Sequence, residues 1–263
     1  MIFRVSLILV SLLTSCKFGQ CSFRDTSKIE NWKSSNIPTN WNSVYKHDKD
    51  GNSYYIPSTG WYVFIENNEV KVRPYPVKGF FANLKVLFNI DKGDLAILSG
   101  IKVKEGFLVG FNRGEFIGEL RWYSNKRRIK KKYVGYDIIQ FIKRDSEVYA
   151  IEGLYHMASS YGSIINLNFK DNKYVPRKYL KLPDAPMAIA LDTNKNFLVI
   201  TSKSILTVNQ DKTIQIILDD CFWKFGLSPN SIVINNDIIY AGMREGVFKY
   251  NLKTKKQEWL LPD

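Results

Sequence analysis

Short apolar runs broken by turn residues make up most of this 263-residue chain. Gly60-Trp-Tyr-Val-Phe-Ile65, Asn67-Asn68 and Val70-Lys-Val-Arg73 show the texture. β-Branched and aromatic residues, which suit a pleated and half-buried surface, alternate with residues that accept tight turns. From residue 52 onward such runs recur at intervals of roughly 8 to 12 residues, the spacing of strands joined by hairpins. Helical periodicity is nearly absent. Toward the C-terminus one phrase returns. Asp137-Ile-Ile-Gln-Phe-Ile142, a turn at Lys143-Arg-Asp-Ser146, Glu147-Val-Tyr-Ala-Ile151 and Gly162-Ser-Ile-Ile-Asn-Leu-Asn168 form its first copy. Pro186-Met-Ala-Ile-Ala-Leu191, Asp192-Thr-Asn-Lys-Asn196, Phe197-Leu-Val-Ile-Thr201 and Ser204-Ile-Leu-Thr-Val208 repeat it. Ser231-Ile-Val-Ile234, Asn235-Asn-Asp237, Ile238-Ile-Tyr-Ala-Gly242 and Gly246-Val-Phe-Lys-Tyr-Asn251 give it once more, about 40 to 47 residues on.

A repeat of this length, holding four short antiparallel strands, resembles one blade of a β-propeller. The closing segment, Gly246-Val-Phe-Lys-Tyr-Asn-Leu-Lys-Thr-Lys-Lys-Gln-Glu-Trp259, resembles the blades of sensor and quinoprotein-like propellers. Upstream, Asp94-Leu-Ala-Ile-Leu-Ser99, Gly106-Phe-Leu-Val-Gly-Phe111, Gly118-Glu-Leu-Arg-Trp-Tyr-Ser124 and Tyr133-Val-Gly135 fit the same layout, and a weaker copy covers residues 53 to 90. The expected fold is all-β: a β-propeller of antiparallel four-stranded blades, five in number rather than six. A β-sandwich or partly open barrel is the alternative, because its strands come at similar intervals. Residues 255 to 262 are expected as the outer strand of the last blade, and ring closure is expected to draw on the N-terminal region.

The first sixteen residues stand apart, with Arg4, an apolar run over residues 5 to 13, and then Leu13-Thr14-Ser15-Cys16. Positive charge, apolar stretch and small residues in that order make a secretory signal, and the apolar run is about half of the roughly 20 residues that a spanning helix needs. Leu13-Thr14-Ser15-Cys16 resembles the lipobox of bacterial lipoproteins. That resemblance implies cleavage before Cys16 and attachment of acyl chains, palmitate among them, at Cys16. Because Lys17 rather than aspartate follows, it also implies an outer-membrane lipoprotein facing the periplasm of a Gram-negative host. Several acyl chains make attachment effectively permanent, each buried methylene contributing about 0.8 kcal/mol. The expected organisation is a signal peptide over 1–15, a lipid-anchored tether over 16–43 rich in Ser, Asn, Lys and Asp, and the propeller over 44–263.

Charge and cysteines narrow the chemistry. Thirty-eight Lys and Arg against 25 Asp and Glu leave a formal charge of +13. In a cell envelope that excess favours anionic lipid, cell-wall polymer or an acidic protein partner, and no nucleic acid. With Cys16 lipidated, Cys21 and Cys221 are left in an oxidising compartment, either paired in a disulfide or with Cys221 as a buried free thiol. The densest charge lies in Lys126-Arg127-Arg128-Ile129-Lys130-Lys131-Lys132, beside Arg121 and Trp122. Its six cations form a candidate binding surface for an acidic partner or for anionic headgroups. The same segment also reads as a solvated hairpin whose lysines block edge-to-edge pairing.

Glu152-Gly-Leu-Tyr155, followed by His156, slightly resembles a segment of five-bladed glutaminyl cyclotransferases, in which the glutamate serves in proton transfer. Only Glu152, Gly153, Leu154 and Tyr155 match, and Ala150-Ile151 depart from the pattern. On that resemblance Glu152 and His156 are the catalytic candidates. His47-Asp-Lys-Asp-Gly-Asn52 alternates oxygen ligands as a calcium loop does, but Thr59 stands where the closing glutamate belongs. No Ser-His-Asp set, phosphate loop or metal cluster can be assembled, so neither metal nor cofactor is expected. The first expectation for function is therefore a non-catalytic envelope lipoprotein that binds a protein partner with one end of the ring, an immunity or inhibitor protein against a periplasmic toxin or enzyme being its specific form. The alternatives are a propeller enzyme of the cyclotransferase or lactonase kind, and an assembly factor resembling the propeller lipoproteins of outer-membrane protein insertion.

Overall fold

A computed structural model describes residues 28–38, 45–47, 53–55, 60–75, 85, 87–90, 96–157 and 159–262. Short N-terminal strands come first: β1 (Lys33–Ser35), the hairpin β2 (Tyr45–His47) and β3 (Ser53–Tyr55), and the hairpin β4 (Gly60–Glu66) and β5 (Glu69–Tyr75). Four antiparallel sheets of consecutive strands follow. The first holds β6 (Ile97–Val103), β7 (Gly106–Arg113), β8 (Phe116–Tyr123) and β9 (Ile129–Val134). The second holds β10 (Ile138–Arg144), β11 (Glu147–His156), β12 (Ser159–Lys170) and β13 (Lys173–Leu182). The third holds β14 (Pro186–Leu191), β15 (Phe197–Thr201), β16 (Ile205–Val208) and β17 (Ile214–Leu218). The fourth holds β18 (Ser231–Asn235), β19 (Ile238–Gly242), β20 (Val247–Asn251) and β21 (Gln257–Leu261).

The opening strand of each sheet packs on that of the next: β10 lies against β6 and β14, β14 against β18, and β18 against β4. Successive meanders set side by side on their first strands make a β-propeller, with β4–β5 standing after the fourth blade. Turn chemistry is local. Asn67-Asn68 and Asp171-Asn172 take φ of 52° and 62° and of 51° and 57°, the left-handed pairs that suit two-residue hairpins.

Apolar side chains fill the wedges between blades. Leu120, Trp122, Ala150 and Ile165 join the first sheet to the second, and Tyr149, Ile164, Val199 and Leu206 join the second to the third. Ile200, Trp223, Ile239 and Phe248 join the third to the fourth. Trp223 donates its indole N–H to the Thr201 carbonyl at 3.0 Å, so its polar atom is satisfied inside the core. β15 is buried along its whole length, which explains its unbroken Phe-Leu-Val-Ile run: both faces meet a neighbouring sheet.

The fourth sheet is larger than its own four strands. β1 pairs antiparallel with β21, Lys33 opposite Leu261 and Ser35 opposite Trp259, and adds a fifth strand from the segment whose polarity reads as tether. The three side chains of β1 are exposed, as befits an edge, while Ile29 and Trp32 just before it are buried. Trp32 meets Trp61 edge to face with ring centroids 4.7 Å apart. Trp61 N–H in turn bonds the Met243 carbonyl at 2.9 Å, and Val63 N–H bonds Ser231 Oγ at 2.9 Å. Gly242 permits this approach, since a Cβ there would sit 2.2 Å from the Trp61 carbonyl oxygen. No helix among the described residues is long and apolar enough to cross a membrane.

Candidate functional site

The β11–β12 hairpin is the longest feature on its side of the ring. Its strands run ten and twelve residues, against five and four for β15 and β16 in the third sheet. Neighbours on both sides fix its direction. Toward the third sheet, Ser160 Oγ lies 2.9 Å from Ser202 Oγ, donates to Asp184 at 3.2 Å and accepts the Ala185 N–H at 3.0 Å. Tyr155 OH reaches the Lys224 carbonyl at 3.3 Å. Toward the first sheet, His156 Nδ1 lies 3.5 Å from Glu115 Oε2 in the β7–β8 turn.

Two hairpin tips from adjacent blades are thus brought together, and the side chains around the His156–Glu115 contact are apolar and exposed. Met157 is 88% exposed, with its backbone held at φ 51°, and Phe116 and Ile117 are both 67% exposed. Tyr155 and Tyr161 complete the set as half-exposed aromatics. Large apolar groups grouped on raised turns and rimmed by charge are the makings of a recognition surface. Sequence reasoning missed it. The one signal available was the unusual length of the Glu147–Lys170 hairpin relative to its repeats.

Glu152 and His156 lie on one face of β11 but four residues apart, about 13 Å along a strand, so they do not form one constellation. Glu152 accepts a hydrogen bond from Ser163 Oγ on β12. Near it is Asp137, at the entry to β10, whose Oδ1 is buried without a hydrogen-bond partner. Burial holds the Asp137 carboxyl above its ordinary range, and the Glu152 charge adds to this, against backbone hydrogen bonds from Arg113 and Gly118. Gly118 is required here, because a Cβ would lie 2.2 Å from Asp137 Oδ1. This seam holds two carboxyls and one hydroxyl, while the imidazole is engaged with Glu115 at the tip.

The basic segment divides. Arg121 donates through Nε to Glu119 at 2.6 Å and stacks 3.9 Å above the Phe111 ring, and Trp122 is buried against Phe169 and Tyr174. Neither belongs to the exposed part. Lys126, Arg127 and Arg128 are exposed in the β8–β9 turn, and Lys130, Lys131 and Lys132 along β9. Cys221 is a buried free thiol, pushed up to about 12 by burial and by the charges of Asp219 and Asp220. Cys16, Cys21 and the Asp48–Asn52 loop lie outside the described residues. Among the described residues no group of three His, Cys, Asp or Glu is placed to hold a metal ion.

No protein-family model matches the chain, and no curated protein matches it. Solved structures do. The Dos1 propeller is 13% identical, with 83% of this chain aligned to 62% of that one at a TM-score of 0.43. A gluconolactonase from Xanthomonas campestris is 9% identical over 85% of this chain and 66% of its own, at 0.41. Virginiamycin B lyase from Staphylococcus aureus is 14% identical over 64% of this chain and 56% of its own, at 0.41. The chain spans less than two thirds of the length of each of the three.

Proposed function

We propose that this chain is an envelope lipoprotein, anchored through Cys16 on the periplasmic side of the outer membrane, that acts as a non-catalytic protein-binding module. The specific form we favour is an immunity or inhibitor protein that occupies a periplasmic toxin or enzyme. The observation that carries the reading is the paired hairpin tips, where Phe116, Ile117 and Met157 stand exposed on turns that hydrogen bonds hold in place. An apolar rim of this kind costs solubility unless a partner covers it; an aromatic anchor on a fixed turn loses little entropy on binding, and a methionine adapts its shape to the surface it meets. The +13 charge suits an acidic partner, drawn in by long-range attraction.

The test is capture of the partner from envelope extracts on the full chain, with the tip variant F116A/M157A and the seam variant E152Q alongside. One protein recovered in stoichiometric amount is expected from the wild type and from E152Q, with recovery reduced about tenfold or more for the tip variant. Turnover of a lactone or glutaminyl substrate that E152Q abolishes, with no protein recovered, would replace this reading by the enzymatic one. For the anchor, C16A is expected to move the chain from the membrane fraction to the soluble one and to abolish incorporation of labelled palmitate.

A further inference from the structure

The exposed cations of β9 are half of a larger feature. β13, the outer strand of the next blade, carries exposed Lys173, Arg177, Lys178 and Lys181. The two outer strands are joined directly: Tyr133 OH on β9 donates to the Tyr174 carbonyl on β13. Trp122 and Tyr174 pack edge to face beneath them at 5.7 Å. No Asp or Glu occurs between Leu120 and Tyr136, or between Asn172 and Pro183. Among the described residues none of these β9 and β13 cations pairs with a carboxylate, whereas the lysines of the fourth sheet and its turn do: Lys249 and Lys256 with Glu258, and Lys253 with Asp237.

The arrangement discriminates among anionic partners. Cross-strand pairing places Lys132 on the face of Arg121 and Lys131 on the face of Trp122, and Lys130 falls in the bulge between Ile129 and Lys131. The cations therefore fan to both sides of a sheet edge and converge on no pocket. Such a fan suits a broad plane of negative charge, met edge-on, better than one recessed anion or one shaped acidic surface. Exposed apolar side chains lie among them, Ile129 and Val134 on β9 and Phe169 at the end of β12. Basic side chains around a few exposed apolar ones are what the interfacial layer of a bilayer accepts.

We infer that the outer edges of the first and second blades form a docking surface for an anionic phospholipid bilayer. This goes beyond the protein-binding reading, which concerns the hairpin tips, and it survives if that reading fails. The edge lies against headgroups and leaves the tips clear for a partner.

The test is co-sedimentation of the full chain with phosphatidylcholine vesicles, with and without about 30 mol % phosphatidylglycerol, so that any N-terminal insertion is common to both. The wild type is expected to partition about tenfold more strongly onto anionic vesicles, and to lose that preference in about 0.5 M salt. K130Q/K131Q/K132Q and R177Q/K178Q/K181Q are each expected to remove most of it, and K253Q/K255Q/K256Q to leave it unchanged. The first two triples lie on different blades, so if one unfolds by circular dichroism the other still decides. Equal partition onto neutral and anionic vesicles, or unchanged preference in the folded triples, would overturn the proposal. Competition by soluble polyglutamate as effective as by anionic vesicles of equal charge would overturn it in favour of an acidic protein.

Discussion

The outer edges of the first and fourth blades meet the same physical demand in opposite ways. Each ends in a strand whose outward N–H and C=O groups would otherwise invite another chain to pair. At the fourth blade the edge is covered: β1 hydrogen-bonds along β21, and Trp32 closes over Trp61 from the neighbouring hairpin. At the first blade the edge is guarded, because β9 presents three consecutive lysines and, among the described residues, no strand pairs beyond it. Covering commits an edge to stability, since it buries aromatic area that holds the N-terminal segment to the ring. Guarding leaves an edge open to a ligand that wants charge without strand pairing. The two edges should therefore respond to substitution in different currencies, one in stability and the other in binding.

Trp61→Ala has the largest expected effect. It removes a β4 side chain that packs on Trp32 and shares one buried cluster with Ile29 and with Val247 and Leu260 of the fourth blade, and should cost about 3–5 kcal/mol in denaturant unfolding. An effect under about 1 kcal/mol would mean that the covered edge is not built into the fold. Next comes Gly242→Val. Its new side chain must displace the backbone at Trp61, and a loss of about 1–3 kcal/mol is expected, with the β4–β5 hairpin more open to protease.

Asp137→Asn probes the seam between the first and second blades. The folded Asp137 carboxyl sits above its ordinary value of 3.8, so the fold favours the protonated form. Its contribution is present below 3.8 and is lost as pH rises through the raised value. The asparagine variant removes that loss, so its unfolding temperature at neutral pH should equal or exceed that of the wild type, and its stability should vary less across the acid range. The smallest effect on stability belongs to the guarded edge, where K131Q/K132Q should change unfolding by no more than about 0.5 kcal/mol.

Much of the ring was legible because hairpins are local. Pro186–Leu191, Phe197–Thr201 and Ser231–Asn235 fall where their apolar runs and flanking Asn or Asp turns place them. The outer strand expected over residues 255–262 is β21, and the N-terminal region does contribute, through β1 to the last blade and through β4–β5 beside it. β1 itself was hidden because Lys33, Ser34 and Ser35 point outward from an edge and leave no apolar trace.

The sites were less readable, for geometric reasons. Contiguity in sequence joined Glu152 to His156 and Arg121 to Lys132, whereas a strand separates the first pair along its axis and an ion pair withdraws Arg121 from the exposed surface. The cations of β13 escaped notice because they are spaced along the strand and form no run. Exposure of Phe116 and Met157 depends on how far two hairpins project beyond their neighbours, which no single strand records.

The division of labour between tip and edge is the central claim, and photo-crosslinking in the intact envelope tests it directly. A photoreactive residue at position 157 should yield one discrete protein adduct, and one at position 131 should yield lipid adducts and no discrete protein band. A discrete protein adduct from position 131 together with none from position 157 would contradict the account.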